Sequence, residues 1–345
     1  MPGQLEVIKR LQEKVQQALL GREDDITAAL FNTYQKRLNI LIKDLMWLNS
    51  SFLESDDLAL SRWRSLQLDR KSLEMIAAHM DGLNQMVAQD LVDDLTKFAK
   101  DSYSMTSWAV DQGIPPAVDM NWNLPTDDVL KTFIRAPWGG QMFSDRIGHI
   151  SDTMARQLQQ ALTDGIMAGD STQDIARAMR ANVGIPLEEK LLTRPRASKA
   201  IYRALLISRS ECMRMTNSMR QRIYDDNKET MADRIWAAAP GFLRVCEECA
   251  DRDGMTYDEI VEEYGQEDAD RLLYGNCHPN GRCMYTLVPK PFQDLLPDSL
   301  KAAGKDLYGD ISDYQMKWVD PMGEAPGGNL LSMKIQPYVE WMAEE

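Results

Sequence analysis

Apolar positions recur every three or four residues through the first third of the chain, which is the period of an α-helix packed along one face. Leu5, Ile8, Leu11 and Val15 stripe residues 4–22, and Ile26, Leu30, Tyr34, Leu38, Leu41 and Leu45 continue the stripe over 24–49. A third helical stretch is expected over 56–110, broken once. No proline occurs between Pro2 and Pro115, which permits long helices here. Such a region suits a helix bundle or an arm that docks on another protein.

Pro115, Pro116 and Pro125 mark a boundary, and Thr126-Asp127-Asp128 is a good start for a short helix over 126–135. APWGGQMFSDR, residues 136–146, reads as a loop running into a helix striped by Ile147, Ile150, Met154, Leu158 and Leu162, ended by Gly169. Ser171-Thr172-Gln173-Asp174 resembles a capping box and opens a short helix to about 181, closed by Gly184 and Pro186. Residues 195–228 form another long helix with Cys212, Met215, Met219 and Ile223 on one face.

The pattern changes after 230. Residues 232–239 and 283–288 read as strands. From 289 the chain is rich in Pro and Gly, and its aromatics (Tyr308, Tyr314, Trp318, Tyr338 and Trp341) suit either a partner surface or a tail wrapped on its own domain. The expected fold is mainly α with a small α+β C-terminal domain. Its parts are a helical N-terminal region (1–114), a central helical part (115–230), a small cysteine-rich part (231–290) and an extended tail (291–345).

Composition narrows the function. Among 345 residues, 53 Asp and Glu face 39 Lys and Arg, a net charge of −14 that opposes broad binding to phosphate backbones. No run of 18 apolar residues exists, and the N-terminus lacks the apolar centre of a signal peptide, so a cytosolic site of synthesis is expected. The 21 methionines read as ordinary core filling, with loosely specified helix packing or partner surfaces as the alternative.

The chemistry concentrates in four of the five cysteines. Cys246 and Cys249 form a C-x2-C pair, and Cys277-His278-Pro279-Asn280-Gly281-Arg282-Cys283 follows. A C-x2-C turn lets two thiolates face one ion, and a second cluster completes a tetrahedron, which in a reducing compartment favours metal over disulfide. Cys246, Cys249 and Cys283 are the expected zinc ligands, with either Cys277 or His278 as the fourth. Four protein ligands leave no open position for catalysis. A disulfide or plain thiols are the alternatives, and a redox dithiol at Cys246 and Cys249 lacks a thioredoxin-like context. Cys212 reads as a core residue, and His79 and His149 as packing or surface groups. Asp251, Asp253 and the acids from Glu259 to Glu263 do not match a calcium loop and read as solvated loop charge. No phosphate-binding loop, dinucleotide fingerprint, H-E-x-x-H or G-x-S-x-G string occurs.

Taken in order, WGGQMFSDRI (138–147), SRSECMRMTNSMRQRIYDDN (208–227), RIWAAA (234–239), CEECADRDGMTY (246–257) and CHPNGRCMYTLVP (277–289) resemble the phage Mu F-like minor head proteins, or head morphogenesis proteins. Arg209-Ser210-Glu211, Trp236, Cys246, Cys249, Asp253, Gly254, His278, Pro279, Asn280, Arg282 and Cys283 carry the likeness. Ser210 stands where Thr is usual. Gly281 replaces the first Cys of the final motif, while Cys277 supplies a thiol before the His. The resemblance covers about 138–289. It implies a structural, non-enzymatic minor capsid protein of a tailed bacteriophage virion, lying in the capsid interior or at the portal vertex after assembly in the host cytoplasm. Its partners would be the portal protein and the major capsid protein, with possible contact to packaged DNA and none to membrane, in head assembly, DNA packaging or ejection. On this reading Arg209 and Glu211 form a buried ion pair facing the zinc-braced domain. The alternative is a virion-borne enzyme, either a zinc-braced nuclease with His278 as base and Asp251 or Asp253 holding a divalent ion, or an ADP-ribosyltransferase-like fold.

Overall fold

A computed structural model describes residues 4–52, 58–114, 118–138, 140–168, 170–183, 199–238, 245–274 and 281–295. The described residues are mainly helical with one small sheet. Their elements are α1 (Gln4–Phe52), α2 (Leu58–Asp111), α3 (Asp127–Arg135), α4 (Phe143–Ala168), α5 (Thr172–Val183), α6 (Lys199–Asp226), β1 (Met231–Ala237), α7 (Glu247–Asp251), α8 (Tyr257–Tyr264), α9 (Gln266–Tyr274), β2 (Met284–Pro289) and α10 (Phe292–Leu295). The tail from 296 onward, with its aromatics, lies outside the described residues.

The expected break in the second long helix does not occur: α2 runs through 54 residues. Gly82 sits inside it with open space around its Cα, so it costs helix propensity without forcing a kink. Residues 250–274 are also more ordered than the loop expected over 250–276, since they fold into the end of α7, α8 and α9.

The chain divides into two compact units, each assembled from separate stretches of sequence. One comprises 23–95 and 131–209. Its core is the continuing α1 stripe, with Leu38, Leu41, Ile42 and Leu45 at 0–1% exposure, together with Leu83 and Val87 of α2, Ile147, Ile150, Met154 and Leu158 of α4, and Ile175 and Met179 of α5. Gly165 lets α5 approach α4, because a Cβ there would lie 2.5 Å from Ile175 Cγ1. At the start of α5, Ser171 Oγ accepts from the Asp174 backbone N–H at 3.2 Å and donates to its carboxylate at 2.5 Å, as the capping sequence predicts.

The other unit comprises 1–22, 96–130 and 210–345. From 210 to 221 every residue of α6 is buried, although much of that stretch is polar. The apolar stripe Cys212, Met215, Met219 and Ile223 accounts for one face. The others are served by polar pairing, as in the ion pair of Arg214 with Glu211 at 2.8 Å. After α6, the Asn227 side chain donates to the carbonyls of Ile223 and Asn121 and accepts from the Asn121 N–H, pinning the segment before α3 to the helix end.

β1 and β2 pair antiparallel, with Trp236 opposite Tyr285 and Arg234 opposite Leu287. Two strands alone are marginal in water, and their outer edges carry unpaired amides. Here both edges are closed. On β1, the Trp236 N–H donates to the Met255 carbonyl at 2.8 Å and the Gly254 N–H to the Trp236 carbonyl at 2.9 Å. On β2, the buried Gln12 of α1 mimics a third strand. Its Nε2 donates to the Leu287 carbonyl at 2.9 Å and its Oε1 accepts from the Leu287 N–H at 3.0 Å. Gln16, one turn on, donates to the Arg282 carbonyl at 3.1 Å, and Arg220 of α6 donates to the Tyr285 carbonyl at 2.6 Å.

This arrangement gives a direct test. Gln12→Leu leaves the buried N–H and C=O of Leu287 unserved, and it should destabilise the protein by about 1–3 kcal/mol in a chemical denaturation curve.

Candidate metal centre

The C-x2-C pair is wound on one helical turn. Cys246 is the extended N-cap residue of α7, and its carbonyl accepts from the N–H of Cys249 at 3.1 Å and of Ala250 at 3.0 Å. That turn brings positions 246 and 249 to the same side, because residues three apart are neighbours on a helix. Cys283 arrives from the other end of the segment, immediately before β2. Cys249 and Cys283 belong to one core cluster with Trp236, Ile260, Ala269, Leu272, Leu273 and Tyr285, and half-buried Cys246 packs against it. No disulfide joins Cys246, Cys249 and Cys283 to one another.

Three of the five sequence-predicted ligands therefore meet in one cluster. The other two, Cys277 and His278, lie outside the described residues. Among the described residues no three His, Cys, Asp or Glu side chains are grouped closely enough to hold a metal ion. The donor types nonetheless fit a soft, thiolate-preferring ion such as zinc far better than magnesium or calcium. The remaining candidates are placed elsewhere. Cys212 is fully buried in α6, exposed His149 sits on α4, and half-buried His79 lies 3.4 Å from Asp44.

The acidic residues have structural employment. Asp253 Oδ1 accepts from the Ala238 N–H at 2.8 Å, which fixes the chain leaving β1. Gly254 follows at φ +83°, a left-handed conformation that a side chain resists. Glu259 is a capping residue of α8: its carboxylate accepts from the Thr256 N–H at 2.7 Å while Thr256 Oγ1 accepts from the Glu259 N–H at 3.2 Å. These bonds hold the Glu259 carboxyl below its ordinary pKa. The acids from 259 to 263 are thus part of a helix, correcting the loop expected for them. Thr256-x-x-Glu259 is a capping-box signature, and it was the signal available in the sequence for that helix.

Three arginines within the motif strings, Arg220, Arg234 and Arg252, organise the surroundings. Arg234 lies between the rings of Tyr224 and Tyr257, 4.1 Å from each centroid, and donates to Gln221 Oε1 at 2.6 Å. Stacking of this kind needs the planar guanidinium. Arg252, at the end of α7, pairs with Asp268 at 2.6 Å, donates to the Glu248 carbonyl at 2.8 Å and packs over Tyr264. It ties α7 to α9 around the thiols. Arg220 is wholly buried, and that desolvation lowers its pKa to about 9. Nothing in the residue types alone marks these arginines; their partners are distant in sequence.

The expected Arg209–Glu211 ion pair is replaced by separate ones. Arg209 reaches Glu23 at 3.2 Å, whereas Glu211 meets Arg214. Positions i and i+2 lie on different sides of a helix, so each side chain meets its own surroundings.

No family model matches the chain, and neither does any curated protein or solved structure.

Two outcomes follow from the local geometry. Gly254→Ala should cost about 1–2 kcal/mol in stability, read by thermal or denaturant unfolding, because the new Cβ is strained at this left-handed φ. The Thr256–Glu259 cap depends on an ionised carboxylate whose folded pKa is depressed. Its contribution is present above the ordinary value of 4.5 and is lost as pH falls through the lower folded value. Glu259→Gln should therefore flatten that part of the acid-unfolding profile.

Proposed function

We propose that the chain is a minor capsid, or head morphogenesis, protein of a tailed bacteriophage, acting at the portal vertex in head assembly, DNA packaging or ejection. In this role the cysteine-rich segment is a structural zinc knot held by Cys246, Cys249 and Cys283, with Cys277 or His278 as the fourth ligand. Its portal and major-capsid partners would meet surfaces outside the knot.

The observation that carries the reading is the convergence of the motif residues. Trp236, Cys249 and Cys283 share one cluster, Cys246 packs against it, and the Asp253-Gly254 turn bonds the strand that carries Trp236. Residues that are up to 47 positions apart in sequence are thus parts of one body, as a motif defined by a fold requires. The engagement of Asp253 with a backbone amide favours a structural role over the divalent-ion role of the nuclease alternative. A structural zinc would act as a cross-link between the α7 turn and the start of β2. It would stabilise the small domain at the moment of folding, since only a folded chain could bring ligands so far apart in sequence to one ion. Among the described residues no helix is long and apolar enough to cross a membrane.

Two measurements test the proposal. Purified protein should contain about one zinc per chain and unfold, or lose tens of degrees of thermal stability, on chelation; a metal-free fold insensitive to chelators would remove the zinc. Labelled protein should localise to the portal vertex or capsid interior of assembled particles, and confinement to the outer shell would overturn the assignment.

A further inference from the structure

Within the unit that holds residues 23–95, α1 carries a second face besides its buried stripe. It holds Ile40 and Trp47, which are 45% and 72% exposed. Exposed Lys36 and Lys43 alternate with them at spacings of four, three and four, so the four side chains form one row. α2 lies beside this row. Arg37 Nη2 donates to the Met86 sulfur at 3.5 Å, and His79 Nε2 lies 3.4 Å from Asp44 Oδ2. These two contacts set the helices antiparallel, with 36–47 running beside 75–86. On the side of α2 that carries them, Met75, Ala78, Gly82 and Met86 recur every three or four residues. The two methionines are half-buried, and Ala78 and Gly82 are exposed. At Gly82 a Cβ would meet nothing within 4 Å, so space is open there. The two rows therefore bound a shallow groove, with Ile40 and Trp47 on one wall, small residues between, and methionines whose flexible side chains repack around what enters. An exposed glycine in a helix interior costs about 1 kcal/mol relative to alanine, and room in the groove is what it gives in return. The charges beside the groove are mainly basic. Lys36 and Lys43 stand on its rim, and Asp44 is engaged with His79. This is a local reversal of sign in a chain of net charge −14.

We propose that the groove between α1 and α2 docks an amphipathic helix of another protein, with apolar residues at three-and-four spacing and Asp or Glu beside them. The span from 36 to 47 is about three helical turns, or roughly 16 Å, which suits a helix laid along two others. Its apolar ridge packs against Ile40, Trp47 and the methionines, as in other helix-in-groove contacts. Its carboxylates meet Lys36 and Lys43, which sets the sign and direction of the partner. A second copy of this chain is the poorer occupant, because a two-fold contact through this face gathers the lysines of both copies. An anionic lipid surface is opposed by the net charge of −14. The inference stands apart from the zinc and phage-head readings, since none of its residues lies in the motif strings over 138–289.

The test titrates the full chain into a fluorescein-labelled helical peptide of about three heptads, with Leu at the apolar positions and Glu beside them. Fluorescence anisotropy reads the binding, and a matched peptide with Lys in place of Glu is the control. The acidic peptide should bind saturably and the basic one should not. Trp47→Ala should weaken binding by about tenfold or more, as loss of a central aromatic anchor does. Gly82→Leu should abolish it while leaving the fold intact, because leucine raises helix propensity and enters open space in the free protein. Lys36→Glu with Lys43→Glu should exchange the preference, so that the basic peptide now binds. Circular dichroism and thermal unfolding verify each variant. Absence of saturable binding to the acidic peptide, or equal binding by the unaltered protein and the Gly82→Leu variant, would overturn the proposal. So would a concentration-dependent dimer that Trp47→Ala dissolves, which assigns the face to a second copy. Trp47-dependent binding to phosphatidylserine vesicles in place of the peptide would assign it to a membrane surface and overturn the proposal as well.

Discussion

The constraint on which the small domain depends is that a two-stranded sheet cannot leave its edges bare inside a protein. An isolated hairpin of six or seven residues per strand is marginal, and buried amides without partners would cancel what its side chains gain. The chain solves both edges with different devices. The turn at Asp253-Gly254-Met255 bonds back onto β1, while Gln12, Gln16 and Arg220 reach the backbone of β2 and the residues leading into it. The first device also delivers α7, and with it the Cys246 and Cys249 turn, to the sheet. The second makes the N-terminal part of α1 an integral piece of the domain that holds Cys283. Residues 12 and 287 are bonded to each other across nearly the whole described length of the chain.

This arrangement explains why polar residues are so prominent in α6 and at the start of α1. A helix buried on all sides is usually apolar. Here buried side chains of α1 and α6 serve the β2 backbone, and the amides of Gln12 and Gln16 and the guanidinium of Arg220 do so. Arg220 illustrates the cost. Its guanidinium is fully buried, with Nη1 donating to a carbonyl but Nε and Nη2 lacking acceptors among the described residues. Arg234 is accommodated more fully, between two tyrosine rings and a glutamine. The thiol cluster is thus set in a frame of arginine–aromatic and arginine–carboxylate contacts, to which the short helices α7 to α9 are tied.

The proposed role gives this frame a purpose. On that proposal, a component of an assembled particle would gain from a domain whose shape is locked by cross-links rather than by a large core. The cluster around Trp236 is small, and a zinc ion between α7 and β2 would join the two chain segments that supply its thiols. The acidic character of the whole chain is compatible with a place near packaged DNA without adhesion to it.

The sequence by itself determined the local elements. The three-and-four spacing placed α1, α4 and α6, the capping sequences Thr126-Asp127-Asp128 and Ser171-Thr172-Gln173-Asp174 placed α3 and α5, and both strands were legible from their composition. It also singled out the cysteines, because C-x2-C spacing is a local property, and the order of motifs that supports the phage-head reading. Whatever depended on residues distant in sequence was decided by the tertiary structure. The break expected in α2 is absent, and α7 to α9 fill what read as a loop, of which only α8 had a local signal, its Thr256-x-x-Glu259 cap. The partners of Arg209 and Glu211 were set by the helix period and by neighbours that the linear text does not display. Above all, nothing at Gln12 announces that it completes a sheet edge at Leu287. A glutamine on a helix has no local signature of burial, and its role arises only when the backbone opposite it offers one donor and one acceptor at the spacing of an amide.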